Sequence, residues 1–486
     1  MMKRNPSRDV LRAAVTVAAL LFVAAMRAPG AQEAGSLRAG AAAVDITPKQ
    51  FPVNMPGGFG ENLAEAAHDP LHARALVLAD GRETFALVLV DNVGVHQETI
   101  DEAKALAARR CPLRPERVLV SSTHSHSAPP SNIKEGDPAA VAYRKLLIEG
   151  IADAIVQAHG ALRPAAVGHA AQPLAEEVFN RRWFLKPGRM PENPFGKLDR
   201  VKMNPGIDPA NLDRPAGPTD PDITLLSVQD ARTRKPLALY ANYSLHYVGG
   251  TPRARVSADY FGEFARLAPS RIGGGPDTVA MMTNGTSGDI NNIPFRVGRP
   301  PREPFEQIRI VAHKAADTVW RGWSGIGAHQ TDVRLGMLQR QVTLRMRRPT
   351  EAEVTRAKQI LALTDPAEKA KLPALADVYA RRLLALAEGP RTLSAPVQAI
   401  RIGDLAICTF PFETFAETGL ELKRLSPFAR TMVVSLANGA HGYLPTPPQH
   451  QLGGYETWLG TNRVEENASV VLSRNLLEML GELARE

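Results

Sequence analysis

Short apolar runs and helix-period stretches alternate along most of the chain. Apolar segments of strand length predict β-strands at Ala41–Ile46, Leu71–Ala79, Thr84–Asp91, Arg117–Ser122, Ile223–Val228, Leu237–Tyr243, Thr278–Thr283, Ala395–Ile402, Leu405–Phe410 and Thr431–Ala437. Asp80-Gly81-Arg82-Glu83 separates the second and third of these and predicts a hairpin with an Asp-Gly turn. Helical periodicity marks Glu98–Arg110, Pro138–His159 (opened by Asp137), Asp259–Leu267, Glu306–Arg321 and a closing helix at Val464–Ala484. Residues 186–221 and 296–305 are rich in Pro, Gly, Asn and Arg and read as surface loops. Amphipathic segments at Thr350–Leu363 and Pro373–Ala387 predict a small helical-hairpin insertion at about 350–388. Strand–helix alternation without an internal repeat predicts an α/β fold, a single large domain with a mixed β-sheet flanked by helices.

The first 31 residues change the meaning of the charge. Lys3, Arg4, Arg8 and Arg12 precede a 14-residue apolar stretch, Ala13 to Met26, and Ala28-Pro29-Gly30-Ala31 follows with small residues. This is the layout of a secretory signal peptide, too short for a comfortable membrane span. The whole chain carries 58 − 50 = +8, which by itself suggests a polyanionic partner. The leader holds five basic residues and one acid, so residues 32–486 are left with 53 − 49 = +4. That balance calls for no nucleic acid, and no second apolar stretch approaches spanning length. The expected product is exported, periplasmic or secreted. Two cysteines, Cys111 and Cys408, exclude a disulfide framework and a Cys-rich zinc module. Any metal site must be built from His, Asp, Glu or Tyr.

The densest chemistry follows Val118-Leu-Val-Ser-Ser-Thr-His124-Ser-His126, where an apolar strand runs into two histidines at i and i+2. In extended backbone these project to the same side, and the segment lies where ligands bind in α/β sheets, beyond a strand's carboxyl end. His-X-His serves metal binding, acid/base work or plain polar packing. Three other strands release one ionisable residue each, Asp91, His246 and Glu413. A helix cap or loop contact explains any one of them singly. Two histidines and a carboxylate also match a catalytic zinc with an open position. Thr283-Asn-Gly-Thr-Ser-Gly-Asp289-Ile-Asn291-Asn follows another strand as a Gly-rich loop. Tyr443 and Tyr455 lie in Gly-rich loops nearer the end.

These motifs, in order, resemble the N-terminal catalytic region of the neutral/alkaline non-lysosomal ceramidases. The resemblance is carried by Ala39 to Pro48, His68-Asp-Pro-Leu-His-Ala-Arg74, Ser122-Thr-His-Ser-His-Ser127, Asn180-Arg181-Arg182, His246, the 283–292 loop, Pro411-Phe-Glu413, and Ala440-His-Gly-Tyr443 to Tyr455-Glu456. It implies a catalytic domain over residues 36–486 and one Zn2+ ion held by His124, His246, Glu413 and Tyr443. It also implies His126 as acid/base, Arg181 and Tyr455 at the substrate carbonyl, and Asp91, Asp289 and Asn291 as supporting or substrate-contacting residues. The implied reaction is hydrolysis of an amide bond in an N-acylated, sphingolipid-like substrate by zinc-bound water. Two departures stand out. Asn291 occupies the position of a family serine near the metal, and the chain ends at its last predicted helix, without the family's C-terminal immunoglobulin-like module. Two other readings stay open: a metal-dependent ester or phosphoester hydrolase, in which Arg181 and Arg182 clamp an anion, and a non-catalytic exported binding protein on the same fold.

Overall fold

Two β-sheets face each other across a layer of Leu, Val, Ile and Met side chains, and helices cover their outer faces. The computed structural model describes residues 37–55, 60–132 and 137–485. The predicted leader lies outside them. In chain order the main strands are β1 (Arg38–Asp45), β2 (His72–Ala79), β3 (Thr84–Val90), β4 (Val118–Ser122), β5 (Arg163–Pro173), β6 (Asp222–Asp230), β7 (Pro236–Tyr243), β8 (Val279–Asn284), β9 (Leu335–Arg345), β10 (Thr392–Ile402), β11 (Leu405–Thr409) and β12 (Arg430–Val434). The main helices are α1 (Gln97–Ala108), α2 (Pro138–Gly160), α3 (Asp259–Arg271), α4 (Glu306–Ser324), α5 (Glu351–Ala362), α6 (Ala376–Glu388), α7 (Ala416–Leu425) and α8 (Ala468–Arg485).

The larger sheet runs β8-β7-β6-β5-β1-β2-β3-β4 and is mixed, as the alternation predicts; the smaller runs β9-β10-β11-β12. Strands β3/β4, β7/β8 and β11/β12 pair in parallel. The predicted hairpin is β2–β3, with Gly81 at φ 86° and the Asp80 carboxylate accepting from the Arg82 and Glu83 amides. Strand β2 is apolar on both faces because both are covered. Ala73, Ala75 and Val77 pack beneath α1 and α2, while Leu76 and Leu78 enter the layer between the sheets.

Two of the longest strands carried no strand signal. Strand β5, Arg-Pro-Ala-Ala-Val-Gly-His-Ala-Ala-Gln-Pro, is poor in β-branched residues, yet it pairs with β6 from Ala165 to Pro173. Strand β9 pairs along its whole length with β10. Tertiary pairing overrides local propensity in both. The helical insertion is present as α5 and α6 with a one-turn helix, Pro366–Lys369, between them. The 186–221 segment is less bare than expected, since Lys202–Met203 and Leu212–Pro215 pair with Arg182–Leu185. Cys111 and Cys408 are buried free thiols in different core clusters. Among the described residues no helix is long and apolar enough to cross a membrane.

Candidate active site

The carboxyl ends of the three parallel strand pairs are sewn together by backbone hydrogen bonds. Ser122 N donates to Leu436 O, and Ser435 N donates to Asn284 O. Every ionisable residue that the sequence places at a strand end therefore emerges on one rim. His124 and His126 follow β4, His246 follows β7, and Glu413 follows β11.

His124 and His126 do converge, but not through the extended backbone that their spacing suggests. His124 sits at φ 72°, in the left-handed region that a residue with a Cβ rarely occupies. Its amide donates to Asn92 O at 2.9 Å and its ring Nδ1 to Val93 O. The strained turn aims Nε2 inward. His246 is fully buried, and its Nδ1 donates to Ser287 O at 2.9 Å. Carbonyl oxygens only accept, so in both rings Nδ1 carries the proton and a neutral ring's Nε2 is left with a lone pair. Burial, then the neighbouring His124, Arg181 and His126, hold His246 well below its ordinary pKa, so it is neutral. The two Nε2 atoms face each other at 3.1 Å. His126 Nε2 is also 3.1 Å from His124 Nε2, with its ring stacked on Tyr247 at 3.7 Å between centroids.

Glu413 completes the cluster. Its Oε2 lies 3.2 Å from His124 Nε2 and 3.8 Å from His246 Nε2, and it is buried without a hydrogen bond. Glu413 and Tyr443 are register partners in a two-residue parallel pair, fastened by Glu413 N donating to Gly442 O. Gly288 lets the 283–292 loop lie against this pair, since a Cβ there would come 2.5 Å from Glu413 O. Facing imidazole lone pairs and an orphaned carboxylate oxygen repel one another unless a cation sits among them. The donor set fits a divalent metal such as zinc. Among the described residues, His124, His126 and His246 form the group of His, Cys, Asp or Glu side chains close enough to share an ion.

Arg181 packs against His246 and Tyr443. Its Nε donates to Glu456 Oε1 at 2.9 Å, while Arg182 Nη1 donates to Glu456 Oε2 at 2.6 Å. All three side chains are buried. The Arg181 guanidinium lies 5.3 Å from the Tyr443 ring centre, and its Nη1 is 3.5 Å from His246 Nε2. Its Nη2 is buried with no partner. Tyr455 opens a short 3-10 turn, and its ring lies 5.6 Å from that of Tyr443. Burial, then the neighbouring Tyr379 and Glu413, push the Tyr455 hydroxyl pKa up, so it stays protonated at neutral pH.

The three supporting residues fall further out. Asp91 is buried, but its carboxylate accepts from Arg74 Nη1 at 2.8 Å and from His72 N at 2.9 Å. The carbonyl that orients His124 belongs to Val93, two residues on. Asp289 accepts from Asn180 Nδ2 and from the Ala416 amide, and its carbonyl accepts from Arg181 N. It thereby couples the Arg181 strand to the start of α7, just past Glu413. Asn291 donates to Asn204 at 2.5 Å and has no hydrogen bond to the histidines. Sequence reasoning gave no role to Glu456, Tyr247 or Ser287. Glu456 adjoins a site residue, and an acid beside two consecutive arginines' partner loop is a usable signal. Tyr247 adjoins His246. Ser287 acts through its carbonyl, which sequence patterns do not mark.

The family model described as neutral/alkaline non-lysosomal ceramidase, N-terminal, matches residues 37–292, more than half of the chain. Among solved structures, neutral ceramidase from Pseudomonas aeruginosa superposes with a TM-score of 0.69 at 17% identity, covering 93% of this chain and 75% of that one. A ceramidase complexed with C2 gives a TM-score of 0.70 at 16% identity, covering 93% and 76%. At these identities the likeness is one of fold. No curated protein matches the sequence.

Proposed function

The chain belongs to the neutral/alkaline non-lysosomal ceramidase family, and from that premise we propose that it is an exported, metal-dependent hydrolase of an amide bond in an N-acylated, lipid-like substrate. The observation that carries this reading is a pair of orphaned buried atoms, the acceptor Glu413 Oε2 and the donor Arg181 Nη2, in side chains that both reach one histidine cluster. Leaving either unsatisfied costs roughly 1–3 kcal/mol, more for a charged group. Such a cost persists where a ligand relieves it.

His124, His246 and Glu413, with Tyr443 beside Glu413, would hold a single zinc ion. When bound, zinc polarises a carbonyl and lowers the pKa of water to near 7. The chain's own groups divide the remaining work. Arg181 Nη2 donates to the substrate carbonyl oxygen, whose negative charge grows as the amide carbon becomes tetrahedral. Glu456 fixes the Arg181 fork, so no reorganisation is needed at that moment. The Tyr455 hydroxyl is a second donor, on a ring beside Tyr443. His126 accepts a proton from the attacking water at Nε2 and returns it to the leaving nitrogen. Asn291, at the position that the resemblance assigns to a serine, is no nucleophile, which favours direct attack by water over an acyl-enzyme. The leader-like first 31 residues support export to the periplasm or medium.

The test is a substrate panel at matched acyl length: amides including a ceramide, carboxylic esters and phosphodiesters, with release of amine, alcohol or phosphate measured. Amide turnover with stoichiometric free amine is expected. A preference for phosphodiesters or esters would replace this reading with the other hydrolase, and binding of the amides without turnover would favour the binding-protein reading.

A further inference from the structure

We propose that the cavity behind the Tyr443 wall is an anion subsite, which takes a phosphate, sulfonate or carboxylate group carried on the amine half of the substrate. This assignment rests on the hydrolase reading above and names the substrate class within it. The cavity encloses about 420 Å³ between the 439–443 loop, α6 and the residues after Trp458. Two arginines line it, Arg382 from α6 and Arg463, together with His441; Met346, Leu386 and Leu393 supply an apolar side.

Three observations converge on an anion. Burial, and then the neighbouring Arg382 charge, hold Arg463 below its ordinary pKa. Among the described residues no carboxylate pairs with Arg463, so like charges face one cavity without a counter-charge at that guanidinium. One of the two arginines is also placed rather than loose. Arg382 lies over the Tyr379 ring at 5.0 Å, its Nη1 reaches Thr461 Oγ1 at 3.4 Å, and its stem packs on Gly460, whose φ of 102° leaves no room for a side chain. Planar guanidinium forks match carboxylate and phosphate-type oxygens.

The cavity's position makes the ligand part of the substrate. Its wall residue His441 is two residues from Tyr443, which packs on Arg181 and hydrogen-bonds Glu413. Asn462, beside Arg463, donates to Tyr443 O at 3.0 Å. Arg382 acts electrostatically on Tyr455. A group held between the arginines therefore lies behind the segment that carries Tyr443.

The experiment compares two amides of one acyl chain, an N-acylethanolamine and an N-acyltaurine, in the wild type, Arg463→Gln and Arg463→Lys. In the wild type kcat/KM should favour the taurine amide. Arg463→Gln should lower the taurine-to-ethanolamine ratio about tenfold, the loss of one charge-assisted hydrogen bond, and Arg463→Lys should retain part of it. An unchanged ratio in Arg463→Gln overturns the proposal. If the wild type cleaves neither amide, the hydrolase reading fails on its own. Calorimetric binding of the acyltaurine then decides the subsite: weaker binding by Arg463→Gln upholds it and equal binding overturns it. Inorganic phosphate separates the remaining source. If phosphate binding depends on Arg463 while both amides are treated alike, the cavity holds a free anion and the head-group assignment is overturned.

Discussion

Glu177 and Glu413 are both carboxylates buried among nitrogen groups, and they differ in how those groups are used. Glu177 accepts from Lys314 on one oxygen and from Asn292, Arg299 and Gln307 on the other. Its surroundings are donors, so both of its oxygens are satisfied, and the contacts tie the 292–299 loop to α4. Glu413 is surrounded by imidazole nitrogens that, in the tautomers set by Val93 O and Ser287 O, offer lone pairs instead of protons. Its Oε2 is left without a hydrogen bond. A buried carboxylate whose neighbours donate to both oxygens serves structure, whereas one faced by lone pairs suits a cation. The difference lies in the side of each ring that the backbone carbonyls occupy, not in the count of polar residues.

The largest effect that could break this comparison is on metal. His246→Ala should lose the bound ion, measured by elemental analysis, and lower amide turnover at least about a thousandfold, because the ligands act as a unit. Glu177→Ala should keep one metal per chain. Metal loss in both variants would erase the distinction.

Next in size is stability. Glu456→Gln removes the one carboxylate between two buried arginines and should cost about 3–5 kcal/mol in chemical denaturation. Glu177→Gln should cost less, ~1 kcal/mol, because Lys314 and Arg299 are partly exposed and can turn to water. Equal losses would mean that the arginine pair is no more dependent on its partner than the Glu177 cluster.

How much of this is legible without coordinates follows the same division. Apolar runs mark the strands that release His124, His246 and Glu413, because burial on both faces leaves a continuous hydrophobic signature. Strands β5 and β9 leave none, since Ala, Gly and Gln become strand only through their partners. The His-X-His spacing points to the site, but its geometry comes from a left-handed His124, which the spacing does not contain. Asp91 looks like a metal-supporting acid by position, yet its hydrogen-bond partners are Arg74 and the His72 amide, and the carbonyl that orients His124 belongs to Val93, two residues later. Glu456 is the converse. Its role depends on meeting Arg181 and Arg182 across more than 270 residues.

Two smaller effects sharpen the account. Tyr247→Leu removes the ring that supports His126 and should lower kcat about tenfold and move the pH–rate profile while leaving metal content intact; a change in KM alone would assign Tyr247 to substrate binding. Asp289→Asn should alter the pH dependence of stability. Burial pushes the Asp289 carboxyl up to about 7 from 3.8, so the folded chain binds a proton that the unfolded chain has released. Its contribution is fully present below about pH 4 and is lost as pH rises through 7. The asparagine variant should show a shallower fall over that window, and an identical slope would place the Asp289 proton elsewhere.

The account's central claim is that the facing histidines and Glu413 hold the metal on which amide hydrolysis depends. The most direct measurement is turnover of a fluorogenic N-acyl amide by the purified protein and its His124→Ala variant, with metal content determined on the same samples. One zinc per wild-type chain, amide cleavage that stops on chelation and returns with zinc, and loss of both metal and turnover in the variant are predicted. Unchanged metal content and turnover in His124→Ala would contradict it.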